Sequence, residues 1–396
     1  MAPARGDSRR AKAVASGPSN SASLALSSSY ASLVTAGPSA RTYWPGLDGL
    51  RGIAALAVII FHAHLGLAAN GYVGVDVFFA LSGFLITSLL LVETQRHGRI
   101  RLLRFYLRRM LRLWPALVAT CALVMAAAAA TGQLSDAAPG TLAALVYLGN
   151  WWMYTGGSAP LLDHTWTLAI EEHFYAVWPV LLIGLCSHRR TLRAFAVIAA
   201  VVGITVLFVP WPEPITHVRA TYLRGFPIIW GSLLAWAVSR RPRTSESRAL
   251  GAVGNGALLI LLGVLLIPWT LPERWLTGPN SATGLLSLFA LAGIVLSPRS
   301  AASTLLAWPP LRWAGTRSYG LYLYHFPVLQ VLRHHIDVGP EWARMLIGIV
   351  ATIIMAEASF RWLEAPFLRL KDRLGGHAAS VQHPSRGSEP VAEPHG

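Results

Sequence analysis

Residues 47–64 read Leu47-Asp48-Gly49-Leu50-Arg51-Gly52-Ile53-Ala54-Ala55-Leu56-Ala57-Val58-Ile59-Ile60-Phe61-His62-Ala63-His64. Every residue between Arg51 and His62 is apolar or glycine, so hydrocarbon can surround this stretch as a helix. A guanidinium then lies near one end and an imidazole near the other. The two are eleven positions apart. At about 100° and 1.5 Å per residue they fall within about 20° of one face and about 16.5 Å apart along the axis. Composition agrees with a membrane setting: 54% of the 396 residues are hydrophobic and 13% charged, against about 25% charged in a soluble domain. The formal charge of +15 would point to nucleic acid in a soluble chain. Here the arginines cluster in short segments between apolar runs, as cytoplasmic loops require, and nucleic acid is excluded as a partner. Cys121 and Cys186 sit in apolar runs and predict neither a disulfide framework nor a metal site.

Outward from this stretch, apolar runs lie near 48–69, 72–92, 113–131, 141–155, 167–186, 194–210, 222–239, 249–270, 281–297, 319–335 and 343–363. The segment Arg96–Arg112 holds seven arginines and is expected to be cytoplasmic, as are His188–Arg193, Arg240–Arg248, Arg299–Arg317 and Arg369–Arg373. Three runs lie between Arg112 and Arg189 where the chain must cross an even number of times. The weakest, 141–155, with Gly149, Asn150, Trp151 and Trp152, is therefore expected to be re-entrant or interfacial. The expected fold is an all-α polytopic membrane protein of about ten transmembrane helices with both termini cytoplasmic. Residues 1–42 and 371–396 are read as disordered tails, the first of them basic, around a membrane domain at 43–370.

Ionisable residues within spans are costly and are candidates for function. Arg51 and His62 on one face, with Asp48 placed to pair with Arg51, are the sharpest pair; the bland reading is a snorkelling Arg51 and a satisfied core histidine. His64 lies about 160° from His62 on the helical wheel and makes a poor joint metal ligand, so no metal is expected. Counting depth places His62, Asp76, Glu171 and Glu172 in the outer half, Arg224 entering from outside, and His325 entering from inside, nearer Arg51. A neutral histidine can take the proton of a hydroxyl acceptor while a carboxylate orients the ring. His62 with Asp76 or Glu172 would supply that pair, the structural alternative for each carboxylate being interfacial solvation or an interhelical hydrogen bond. Glu171, His164, Trp166 and Arg224 are candidates for an outer, substrate-binding entrance, although Trp166 also fits an aromatic belt. Arg101, Arg104, Phe105, Arg108, Arg109 and Arg112 are expected along the inner membrane surface, with phosphate binding the lesser reading. Ser82 in Leu81-Ser82-Gly83 is read as a close-packing residue rather than a nucleophile.

Several of these stretches, in order, resemble the membrane-bound acyltransferase-3 family, bacterial inner-membrane proteins that O-acylate sugars. The motifs are Leu47–Gly52 through His62, Gly74-Val75-Asp76-Val77-Phe78-Phe79 through Ile86, Phe105-Tyr106-Leu107-Arg108-Arg109, His164-Thr165-Trp166 through Glu171-Glu172-His173-Phe174-Tyr175, Ser318-Tyr319-Gly320 through Tyr324-His325, and Glu364-Ala365-Pro366. The resemblance runs from about Trp44 to Leu370. It implies acyl-CoA, acetyl-CoA first, as the donor on the cytoplasmic side and transfer to a carbohydrate hydroxyl. It makes Arg51 and His62 essential, His62 as base and Arg51 as organiser or donor-binding group, with His325 beside it. His173 stands where relatives commonly have Gln, and Tyr324 where a Trp often precedes the histidine. The implied acceptor is a cell-envelope glycan or a glycosylated secondary metabolite such as a macrolide. A stand-alone enzyme with direct transfer is expected, in the bacterial cytoplasmic membrane. The alternative from another class is a transporter or exporter using the same buried charges. A non-catalytic membrane scaffold is a third. Oligomeric state is open.

Overall fold

The computed structural model describes residues 43–187, 224–241, 247–271, 282–337 and 339–374, and among them the regular structure is entirely helical. The helices are α1 (Pro45–Ala63), α2 (Gly74–His97), α3 (Leu102–Ala130), α4 (Leu134–Leu145), α5 (Gly149–Tyr154), α6 (Trp166–Ser187), α7 (Phe226–Ser239), α8 (Arg248–Leu266), α9 (Ala282–Leu296), α10 (Ala301–Leu306), α11 (Pro309–Thr316), α12 (Ser318–His334), α13 (Glu341–Ala358) and α14 (Ala365–Leu374). A wide π-helical turn, Ser359–Glu364, joins the last two.

Six helical segments among the described residues are long and apolar enough to cross a membrane: Pro45–Ala63, Gly71–His97, Leu102–Ala130, Asp163–Leu185, Arg248–Leu266 and Glu341–Leu370. Ten were expected. The runs at 222–239, 281–297 and 319–335 form helices of 14, 15 and 17 residues. At 1.5 Å per residue these reach only about 21–26 Å, short of a hydrocarbon core of about 30 Å. The run at 194–210 and the expected tails, except residues 371–374, lie outside the described residues. The weak run at 141–155 falls on the end of α4 and on α5, which are 12 and 6 residues long.

Glycines set how close the helices come. A Cβ on Gly49 or Gly52 would overlap the Leu306 and Leu311 carbonyls, and one on Gly315 the Asp48 carbonyl. The backbone of α1 therefore lies directly on α10 and α11, an approach that only small residues allow. Gly83 of α2 and Gly231 of α7 meet the Ile228 and Ala80 carbonyls in the same way. Pro45 opens α1 at its first turn, where its missing N–H costs nothing. His64 closes it in the left-handed region, at φ 51°. With one face spent on glycine contacts, α1 turns Arg51 and His62 toward two interior cavities.

Candidate active site

Arg51 opens into a cavity of about 740 Å³ that Ser82, Arg109, Arg112, Glu171, Tyr175, Arg241 and Tyr319 also line. The Arg51 Nε has no hydrogen-bond partner among the described residues. Arg109 lies over the Tyr175 ring at 3.4 Å and 3.7 Å from Glu172 Oε1. Ser82 donates to Glu171 Oε1 at 2.9 Å, and the Tyr175 hydroxyl to Oε2 at 3.1 Å. Ser82 and Tyr175 thus hold the Glu171 carboxylate against the wall, and the arginines give the cavity a basic character suited to phosphate groups.

The sequence favoured the membrane surface for the whole 101–112 arginine cluster; in the structure Arg109 and Arg112 line the cavity, Arg112 with an exposed side chain. They share one face of α3 with buried Phe105 and Ala116, while Leu103, Leu107, Met110 and Trp114 are exposed. The positions 105, 109, 112 and 116 recur at helical spacing, and that periodicity was the sequence signal. Asp48 likewise departs from expectation, accepting a hydrogen bond from Tyr43 at 2.6 Å rather than pairing with Arg51. Burial first, then the Asp48 carboxylate, raises the pKa of the Tyr43 hydroxyl.

His62 opens into a second cavity, of about 400 Å³, which His164, Trp166, Arg224 and Asp163 also line. His62 Nδ1 lies 3.0 Å from the Val58 carbonyl and 3.2 Å from His325 Nε2. The His325 ring is 5.1 Å from that of His62 and 5.3 Å from that of His164, centroid to centroid. His164 is buried and stacks on Phe326, and neither of its ring nitrogens has a hydrogen-bond partner among the described residues. His64, beyond the end of α1, stacks on Phe61 instead, and burial, then Arg333, lowers its pKa. Arg333 also donates to the His62 carbonyl at 3.0 Å, satisfying one of the last carbonyls of α1. Among the described residues no group of three His, Cys, Asp or Glu is placed to hold a metal ion.

Three expected placements change. His325 meets His62 rather than Arg51, because α12 begins beside the basic cavity, which Ser318 and Tyr319 line, and seven residues of helix rise about 10 Å from there. Asp76 and Glu172 do not supply the expected partner of the His62 ring. Asp76 is fully buried, 3.2 Å from Arg224 Nη1 and accepting a hydrogen bond from Thr283, and Glu172 pairs with Arg109. Glu171 lies in the basic cavity rather than with the outer candidates, five residues along α6 from Trp166, which lines the histidine cavity. Arg224 is buried, its guanidinium 5.6 Å from the Trp166 ring centroid.

The sequence reading passed over Thr167 and Tyr322. With Val75 they line both cavities and so form the partition between them. The Tyr322 hydroxyl lies 2.7 Å from the Thr167 hydroxyl and donates to the His164 carbonyl at 3.0 Å. Tyr322 precedes His325 by three positions, hence by one helical turn on the same face, and that spacing was the available signal.

Residues 44–356 match the profile of the acyltransferase domain family known as acyltransferase-3. The chain is similar to the peptidoglycan O-acetyltransferase OatA of Listeria monocytogenes, 31% identical over 350 residues that make up 82% of this chain and 56% of that protein. It is 34% identical over 348 residues to YrhL of Bacillus subtilis, a candidate peptidoglycan O-acetyltransferase, covering 82% of this chain and 55% of YrhL. A candidate O-acetyltransferase of Staphylococcus aureus is 32% identical over 350 residues, 82% of this chain and 57% of its own. The chain thus spans little more than half the length of the curated relatives it matches. No solved structure matches. With the profile covering most of the chain and its motifs lining both cavities, the protein belongs to the acyltransferase-3 family.

Proposed function

We propose that this protein is a membrane O-acyltransferase that moves an acetyl group from acyl-CoA, entering the basic cavity, to a sugar hydroxyl in the histidine cavity. The observation that carries the reading is the pair of cavities at opposite ends of α1, one opening on Arg51 and the other on His62, with Val75, Thr167 and Tyr322 common to both. Acyl-CoA is a phosphate-rich donor, and Arg51, Arg109 and Arg112 offer charge-assisted hydrogen bonds to its phosphates. Trp166 offers an aromatic face to a sugar ring, and the buried Arg224–Asp76 pair stiffens the wall beside it. The basic cavity is assigned to the cytoplasmic side of a bacterial inner membrane, in keeping with the arginine-rich segments.

In this reading the acceptor hydroxyl gives its proton to a ring nitrogen of His62 as its oxygen attacks the thioester carbonyl. The carbon–sulfur bond breaks, the ester forms, and the leaving thiolate takes the proton back. The transfer is direct: Ser82 donates to Glu171 and lies in the basic cavity, away from the His62 cavity. The relatives' names favour a peptidoglycan acceptor over a glycosylated macrolide.

The test is thiol release from acetyl-CoA by purified protein in detergent, with peptidoglycan fragments or a glycosylated macrolide as acceptor, beside His62→Ala. Acceptor-dependent release that the variant loses supports the proposal, and the acceptor that drives it is identified. Undiminished release in the variant removes His62 as base. Vesicle uptake or export of the acceptor without thiol release overturns the enzyme reading in favour of a transporter.

A further inference from the structure

We infer that His325 is a positioning residue that fixes the tautomer of His62, taking the place of the carboxylate a histidine base ordinarily uses. The inference rests on the reading of His62 as base and deepens it. Two carbonyl groups carry it. His325 Nδ1 lies 2.6 Å from the Tyr322 carbonyl, and a carbonyl only accepts, so the single N–H of a neutral His325 ring is on Nδ1. Its Nε2 is then a bare lone pair. That nitrogen lies 3.2 Å from His62 Nδ1, which must therefore carry the hydrogen between them.

The Val58 carbonyl, 3.0 Å from the same His62 Nδ1, independently demands a proton in the same place. Both acceptors agree, and the neutral His62 ring is left with its lone pair on Nε2. A base needs that arrangement: one nitrogen held by its hydrogen bonds, the other free to take the proton of a hydroxyl.

When the acceptor's proton arrives on Nε2, His62 becomes an imidazolium, and its Nδ1–H bonds to His325 Nε2 and the Val58 carbonyl become charge-assisted. They strengthen as the charge develops, which is where a contact accelerates a reaction. The proton leaves again from Nε2 to the departing thiolate, and the protons on His325 Nδ1 and His62 Nδ1 stay where they are. A neutral acceptor also leaves the resting site without a buried anion, and His325 is fully buried.

The experiment compares His325→Phe and His325→Gln with wild-type protein, measuring kcat and both KM values for acceptor-dependent thiol release alongside thermal unfolding in detergent. The phenylalanine variant keeps the packing volume and removes the acceptor; its kcat is expected to fall about a hundredfold with both KM values within about threefold of wild type. The glutamine variant, whose amide oxygen can accept from His62 Nδ1 while its NH2 points elsewhere, is expected to recover about tenfold of that loss. Equal impairment of the two variants, or a change confined to KM, overturns the inference. Should the variants fail to fold, 15N NMR of histidine-labelled wild-type protein, with the His62 signal assigned by its loss in His62→Ala, reads the tautomer directly. A proton on His62 Nδ1 that is coupled across the hydrogen bond to a second histidine nitrogen supports the inference; a proton on Nε2, or one on Nδ1 without that coupling, overturns it. Unchanged turnover in His62→Ala overturns the reading of the base itself, whereas an inactive His62→Ala beside a fully active His325→Phe overturns the role of His325 alone.

Discussion

The two ends of α1 are built on opposite principles. Around Arg51 the cavity is large, about 740 Å³, and charged groups face it: Arg109, Arg112, Arg241 and Glu171. Around His62 it is smaller, about 400 Å³, and among the described residues the hydrogen-bonding groups on the imidazole are a backbone carbonyl and a second imidazole, with the Phe61 and Phe326 rings beside it. On that side Asp76 holds Arg224, and Arg333, which donates to the His62 carbonyl, pairs with Glu341. Arginines crowd the first cavity, whereas the arginine that lines the second is paired with Asp76. One helix serves both because its glycine face is spent on α10 and α11.

Four substitutions break or sharpen that contrast. The largest effect is expected from His62→Ala, with kcat lower by about 10²–10⁴-fold for loss of a general base and the KM for acyl-CoA unchanged in steady-state kinetics. A raised donor KM would mean that the two ends are not separate. Next is Asp76→Ala, which strands a buried guanidinium at Arg224; stability should fall by about 3–5 kcal/mol, read as an early thermal transition in detergent. Arg112→Gln acts at the other end, and loss of a charge-assisted phosphate contact worth about 1.5–3 kcal/mol should raise the KM for acyl-CoA more than tenfold. That rise should shrink at high salt, with kcat little changed. The smallest effect belongs to Tyr43→Phe, which removes a bond to Asp48 at the exposed start of α1. Unfolding and kinetics should both stay within about 1 kcal/mol of wild type, as for other exposed polar pairs.

Legibility followed distance along the chain. Arg51 and His62 could be placed on one face from their spacing because helical periodicity is a local property, and hydrocarbon leaves a long apolar segment few other backbone choices. The same periodicity marks the cavity-lining face of α3 at Arg109 and Arg112, which the run of basic residues around it obscures. Counting residues also set Arg51 and His62 apart along α1, and they line separate cavities. Counting failed for His325 because depth along α12 depends on where that helix begins beside Arg51, which is a matter of packing.

From the sequence alone came a helical membrane protein, the family resemblance, the Arg51–His62 axis and the grouping of His164, Trp166 and Arg224. Each rests on short-range periodicity or on residue types that a membrane makes costly. Only the tertiary structure decided that His325 rather than Asp76 or Glu172 meets His62, that Asp76 closes on Arg224, and that Thr167 and Tyr322 divide two cavities. Those contacts join helices far apart in sequence. Backbone approaches at Gly49, Gly52, Gly83 and Gly231 fix them, through a lateral geometry that no single segment encodes by itself.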